Sequence, residues 1–438
     1  MKIRGLLIAA VILGALSGLL YWSDHHKPKD AQASTDTQPK IWSLNEGDIT
    51  KLDVKKKSAP DLVLTKDSAG KWQMDAPERY SVDQSAVSGM LTNLTSLNAE
   101  RVVEDKATNL STYGLSDPSL QLDVTEKNNQ SRTLLLGDET PTGSAMYAKL
   151  SGDPRVFTVG TWTKNTVDKS PNDLRDKRLI TLDADKVSRV ELNQKNDDLE
   201  FGRDKNQWQI LKPKPMRANS TEVDDLVRKL ADAKMDLSGS ADDLKKSPAA
   251  FNSGTPVATA KITGDAGAQE LQVRKNKNDY YAKSSVVAGV YKVPVDVGQE
   301  LSKKLEDFRN KKLFDFGFED PNQIEIHDGA NAYYLMHNNE GWWSNGKTMD
   351  PGGVGNLVDK LRDLSASKFV DSGFTQPAIT LVVKSDDNKR VEKVLIAKNG
   401  DTYVAKRETE PALYQLDSSA VQDLQKAAAD IKPEAGKK

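Results

Sequence analysis

The chain has 438 residues, with 62 Lys and Arg against 64 Asp and Glu, for a formal net charge of −2. A nucleic-acid binder would carry a strongly basic domain or stripe, so this balance gives that class no support. The absence of cysteine excludes disulfides, thiolate metal sites, a cysteine nucleophile and a thioether-linked lipid anchor, and the length asks for about three domains.

Lys2 and Arg4 precede Gly5–Trp22, a run without charge. As a helix it would span about 27 Å, close to the hydrocarbon core of a bilayer. Tyr21 and Trp22 fall where an interfacial aromatic belt lies, and the basic residues before the run place the N-terminus in the cytoplasm. Residues 1–22 are therefore expected to be a retained transmembrane signal anchor. The rival reading is a cleaved signal peptide. Its small-x-small site would be Ala31-Gln32-Ala33, which lies far beyond the apolar run. Residues 23–40 are almost wholly polar and read as a solvated linker.

Beyond the linker the chain repeats itself, and the order of landmarks carries the inference. Each copy opens on an alternating strand, at Ile49–Val54, Val187–Leu192 and Ile324–Ile326, and a second strand carries Trp72, Trp208 or Trp342. A helix follows with apolar residues at i, i+3, i+4, i+7 and i+10, one stripe of an amphipathic helix. These are Val87, Met90, Leu91, Leu94 and Leu97, then Val223, Leu226, Val227, Leu230 and Ala233, then Val354, Leu357, Val358, Leu361 and Leu364. Ser81-x-x-Gln84 and Asn219-x-x-Glu222 have the form of helix-start capping signals.

Pro118, Pro256 and Pro377 then introduce alternating strands, where proline's missing N–H is tolerated. Tyr147-Ala148-Lys149, Tyr281-Ala282-Lys283 and Tyr403–Lys406 follow. After them come Val156–Val159, Val290–Val293 and Leu413–Leu416. The first two copies close on Leu174–Leu179 and Phe308–Leu313. Offsets between those copies run from 134 residues (Tyr147 to Tyr281) to 138 (Leu52 to Val190). The expected fold is α+β: three tandem modules of mostly antiparallel sheet, each with a packed amphipathic helix. The modules are placed at 41–179, 180–313 and 314–432, with a tail at 433–438.

The three-copy pattern resembles the uncharacterised bacterial family called domain of unknown function 4340. The resemblance also rests on residues 134–159 (LLLGDETPTGSAMYAKLSGDPRVFTV), Tyr113–Pro118 and Leu174–Arg178. It covers nearly all of residues 41–320 and, more faintly, the third copy. It implies a membrane-anchored partner of ABC-type export or gliding-motility systems, and it brings no catalytic residues with it.

Gly341-Trp342-Trp343-Ser344-Asn345-Gly346-Lys347-Thr348 satisfies the G-x-x-x-x-G-K-[ST] pattern of a phosphate loop. That chemistry needs a helix starting at the Lys-Thr pair, whereas Met349-Asp350-Pro351-Gly352-Gly353 follows, so a hairpin is expected instead. His25, His26, His327 and His337 lack metal-ligand spacing. No G-x-S-x-G elbow occurs. Asp224-Asp225 and Asp242-Asp243 read as solvated helix residues, and the repeated tryptophans as core. Arg175–Arg178 and Arg309–Lys312 read as junction segments with cations near a helix C-terminus. No catalytic, cofactor-binding or metal residue is assigned, and no cofactor is expected.

The expected protein is a non-enzymatic accessory or scaffold on the bacterial inner membrane, single-pass, with its bulk periplasmic or extracellular. Its expected partner is an inner-membrane protein complex of the ABC-transporter kind. A glycan-binding module of the cell envelope and an unrecognised hydrolase are the alternatives. A row of exposed aromatics would favour glycan, and an exposed apolar patch a protein partner.

Overall fold

A computed structural model describes residues 38–205 and 207–434. Among these, no helix is long and apolar enough to cross a membrane. The anchor read at Gly5–Trp22 lies outside the described residues, as do His25 and His26. The chain divides into two compact units, one ending at Lys177 and one beginning at Arg178. The fold is α+β, with repeated sheet modules in which every strand pairing is antiparallel among the described residues.

The first unit holds one nine-stranded sheet. From edge to edge its strands are Tyr80–Ser81, Trp72–Ala76, Ala59–Lys66, Ile49–Lys56, Leu120–Glu126, Ser131–Glu139, Ala145–Leu150, Val156–Gly160 and Arg101–Glu104. Two meanders meet at a seam where Leu52 pairs with Val124 on one side and Leu64 on the other. Period-two alternation sends Leu52, Val54, Leu62, Leu64, Leu122 and Val124 into one core, while Lys55 and Asp123 form an ion pair on the opposite face.

The helix Gln84–Thr95 closes that core. Val87, Met90, Leu91 and Leu94 are buried on it, and Leu97, the last residue of the stripe, is buried in the next short strand. Its N-cap is Asp83, which accepts from the N–H groups of Ser85 and Ala86, not Ser81 as the capping pattern suggests. Gln84 is drawn elsewhere: its amide accepts from Trp72 N–H and donates to Trp72 C=O, both at 2.9 Å. The backbone of the tryptophan strand needs partners there, and the first helical side chain supplies them.

The second unit holds two more sheets. One runs Met216–Arg217, Gln207–Lys212, Asp198–Asp204, Val187–Gln194, Thr255–Gly264, Gly267–Asn276, Asp279–Ser284 and Val290–Val293. The other runs Lys347–Thr348, Gly341–Ser344, Asn331–Asn338, Gln323–Asp328, Ile379–Ser385, Arg390–Asn399, Thr402–Arg407, Leu413–Leu416 and Lys368–Val370. Their helices, Ser220–Ala231 and Pro351–Asp363, bury the residues of the expected stripe, and Ala233 and Leu364 are buried just past the helix ends. Each sheet has its own hydrophobic core.

Three details depart from the sequence pattern. Counted from Ile49–Lys56, Val187–Gln194 and Gln323–Asp328, the tryptophan lies on the third strand, because Ala59–Lys66, Asp198–Asp204 and Asn331–Asn338 form hairpins with those strands. Asn219 is the N-cap of its helix but makes no side-chain cap bond, and Glu222 turns to Lys303 at 2.8 Å. Leu179 and Leu313, expected at the ends of closing blocks, pack into the cores of the modules after them. Their N–H groups donate to Ala233 and Leu364 C=O, which fixes them there.

Candidate functional site

The phosphate-loop pattern folds as a hairpin. Trp343 pairs with Thr348 and Ser344 with Lys347. Asn345 and Gly346 between them have φ of 50° and 74°, the two positive values of a type I′ turn, for which Asn-Gly is the preferred pair. Lys347 is exposed on a two-residue strand, so no helix begins where the phosphate chemistry would require one.

Trp72, Trp208 and Trp342 are all buried in their cores. His337 stacks on Trp342 with ring centroids 4.7 Å apart, and His327 is exposed. Asp224 is more than a solvated helix residue: it accepts from Trp208 Nε1 at 2.7 Å and pairs with Arg203 at 2.6 Å. The buried indole needs an acceptor, and the helix provides one. Asp225 pairs with Arg228, and Asp243 sits in the first turn of Ala241–Ser253, bonded to Ser240. Arg175 lies over the Tyr80 ring at 4.0 Å and Arg309 over the Phe369 ring at 3.3 Å. Each directly follows a four-residue helix.

A large cavity lies in the second unit, where the second and third modules adjoin. It measures about 1190 Å³, and Trp208, Arg217, Asn219, Lys311, Phe318 and Glu410 are among its lining residues. Its floor is a charge network. Arg217, on the edge strand Met216–Arg217, donates to Glu410 at 3.0 Å and Asp315 at 2.7 Å. It also donates to Lys312 C=O at 2.6 Å and to Tyr414 Oη at 2.9 Å. Arg407 shares the same carboxylates, at 3.2 Å from Asp315 and 2.7 Å from Glu410, and holds Glu392 at 3.0 Å. Glu392 in turn accepts from Asp315 N–H.

Burial pushes the Glu392 carboxyl above the usual carboxylate range, against the pull of the Asp315 N–H and Arg407. Burial likewise raises the Tyr414 hydroxyl, against Arg217. For Arg217 burial works to lower the value, and Asp315, Tyr414 and Glu410 overcome it, so the guanidinium stays charged. Two guanidiniums thus serve three carboxylates with most donors used. Such a site holds pieces of protein together and leaves little free for proton transfer.

Sequence pattern alone did not single out Arg217, Asp315, Glu392, Arg407 or Glu410. One signal was present: Ser81 and Thr348 occupy the position of Arg217 in the other modules, directly before the residue that bridges to the closing segment. A long cation in place of a small hydroxyl marks a contact the other copies do not make.

Residues 72–252 and, in a second placement, 208–381 match the family model described as Domain of unknown function (DUF4340). The chain belongs to this family. The two placements start on Trp72 and Trp208, equivalent residues of successive modules, so the DUF4340 match itself tracks the internal repeat. No curated protein matches the sequence. Among solved structures it is similar to a putative DNA polymerase III beta subunit from Eubacterium rectale. That likeness has 9% identity over 83% of this chain and 90% of the other, with a TM-score of 0.15, and at that level it carries no argument.

Proposed function

We propose that this DUF4340 protein is a membrane-anchored, extracytoplasmic scaffold that acts by contact with an inner-membrane complex, of the ABC-transporter kind, without catalysing a reaction. The observation that carries the reading is an apolar patch on the outer face of the third sheet. Tyr334 and Met336 point outward and are 45% and 50% exposed, and Trp343 pairs directly with Met336. The same row runs on through Gln323 and Lys384 to Val391, which is 52% exposed. The corresponding face of the first sheet is occupied by the Lys55–Asp123 ion pair and by Thr133 bonded to Asp123. In the second it carries Arg189–Glu200 and Lys261–Glu191; the third keeps one such pair, Lys384–Glu325 at 3.6 Å, beside its apolar side chains. Apolar side chains gathered on one sheet suit a protein partner better than a sugar, which would ask for a row of aromatics. The charge-free run Gly5–Trp22 supports the anchor, and tethering raises the effective concentration of a weakly bound partner.

The test is affinity capture of the full-length protein from mild detergent. Wild type should retain integral-membrane components. Tyr334→Asp with Met336→Lys should lose them, and a fragment from Ile41 onward should recover far less. Lys347→Ala should leave capture unchanged. Loss of a nucleotide-dependent activity in Lys347→Ala would overturn the reading.

A further inference from the structure

The cavity in the second unit lies beside a side chain that its fold presents to solvent. Phe314, Phe316 and Phe318 alternate along one segment. The first two are buried in the third core, whereas Phe318 is 96% exposed. An exposed phenyl ring on a loose loop would mean little, but this backbone is held. Arg362, on the helix Pro351–Asp363, donates to Gly317 C=O at 2.7 Å and to Phe318 C=O at 3.2 Å. It also pairs with Asp320 and lies over the Phe316 ring. Gly317 turns the chain at φ of 73°, a conformation that suits glycine. A pinned backbone carrying an exposed aromatic loses little conformational entropy when the ring is buried, as binding anchors require.

The charges around the cavity are complementary to the residue after Phe318. Arg217, Lys303 and Arg362, all lining cations, are each paired with carboxylates. Lys311 and Lys312 also line it, are exposed, and have no carboxylate within ion-pair distance among the described residues. Glu319 is exposed and likewise has no cation at that distance among the described residues. One surface therefore carries a cavity with two spare lysines against one spare carboxylate, Asp307, and, beside it, an aromatic followed by a further spare carboxylate.

We propose that this surface is self-complementary: the cavity of one copy receives Phe318 and Glu319 of a second copy, and the exchange is reciprocal about a two-fold axis. A two-fold contact needs one patch carrying both halves of the interaction, which this surface does. The phenyl ring would enter beside Pro215, Met216 and Pro411, and Glu319 would meet Lys311 and Lys312. The apolar ring supplies affinity and the charge pairs supply register.

The chain contains no cysteine, which makes the test clean. Full-length Lys311→Cys and Glu319→Cys, carried on differently tagged chains, are mixed in mild detergent and oxidised. A disulfide-linked dimer carrying both tags is the expected result. Phe318→Ser should weaken dimerisation by about tenfold or more, as loss of a central anchor does. Glu319→Lys and Lys311→Glu/Lys312→Glu should each weaken it, and mixing those two variants should restore it. Phe318 is exposed, so circular dichroism of Phe318→Ser should match wild type. A wild-type chain that stays monomeric and gives no mixed disulfide would overturn the proposal. So would a Lys311→Cys/Glu319→Cys double variant that closes only within one chain, because Phe318 would then fold into its own cavity. None of these readouts involves the Tyr334–Met336 patch, so this proposal and the scaffold reading fail separately.

Discussion

The second module parts from the first and third just after its core helix. All three make the same first rung beyond the helix: Glu100 N–H to Thr158 C=O at 2.8 Å, Asp236 to Lys292 at 2.9 Å, and Ser367 to Gln415 at 2.9 Å. In the first and third modules the chain then continues as an edge strand, Arg101–Glu104 or Lys368–Val370. In the second it leaves after that rung and forms the helix Ala241–Ser253. The helix brings its own seat. Phe251 is buried outside the module's main core, Arg274 lies over its ring at 5.3 Å and donates to its C=O, and Asn276 donates to Ala250 C=O. The shared part of the module is thus the sheet seam and helix stripe. The segment after the stripe is an excursion stabilised by separate contacts, and it can change from strand to helix without disturbing the core.

The largest expected effect tests the other place where the modules differ. Arg217→Ala should cost about 3–5 kcal/mol, because it leaves Asp315, Glu392 and Glu410 to share Arg407. Ser81→Ala, at the equivalent position, should stay within about 0.5 kcal/mol. Denaturant melts of the two variants measure the contrast, and equal costs would make the network incidental. The defect should also depend on pH. A carboxyl whose folded-state value is raised takes up its proton in the native state before the unfolded chain does. Its contribution to stability therefore falls as pH rises through the window above the ordinary carboxylate value. Glu392 already lies in that direction, and losing Arg217 moves the cluster further. The Arg217→Ala deficit should shrink on acidification from neutral pH.

Next comes the stripe. Leu94, Leu230 and Leu361 are all essentially buried, and each change to alanine should cost about 2–5 kcal/mol. Proteolysis of the native protein should show the damage confined to the module carrying the change. Damage spread evenly across the chain would break the view that each module has its own core. The smallest effect belongs to the excursion. Phe251→Ala should cost about 1.5–3 kcal/mol and should raise amide exchange in Ala241–Ser253 more than in Ser220–Ala231. Equal exchange in both helices would tie the excursion to the core after all.

The helix stripes and alternating strands were legible because burial imposes a period on the sequence, and those residues fall where the period places them. Only the start of the helix Ala241–Ser253 was legible, at Asp242-Asp243, since Pro248 inside it reads as a breaker. The Gln84 amide was misread as half of a capping box, because a local pattern cannot show that the Trp72 backbone, twelve residues earlier, lacks partners. The charge network lay further out of reach. Arg217 and Glu410 are 193 residues apart, and nothing local in either segment announces the other. The hairpin at Asn345-Gly346 was legible because Met349–Gly353 follows so closely that no helix can run on from Lys347.

The forward placement of Leu179 and Leu313 has a practical consequence for cutting the chain. Boundaries drawn after the closing segments, at 179/180 and 313/314, would leave each leucine on the wrong side. A fragment of the third module starting at Phe314 would lack Leu313, and with it the hydrogen bond to Leu364 that ends the core helix. A cut between Asn310 and Lys311 would keep both, together with Ala366, whose N–H donates to Lys311 C=O. The basic blocks thus act as overlaps, each belonging by its first residues to one module and by its last to the next.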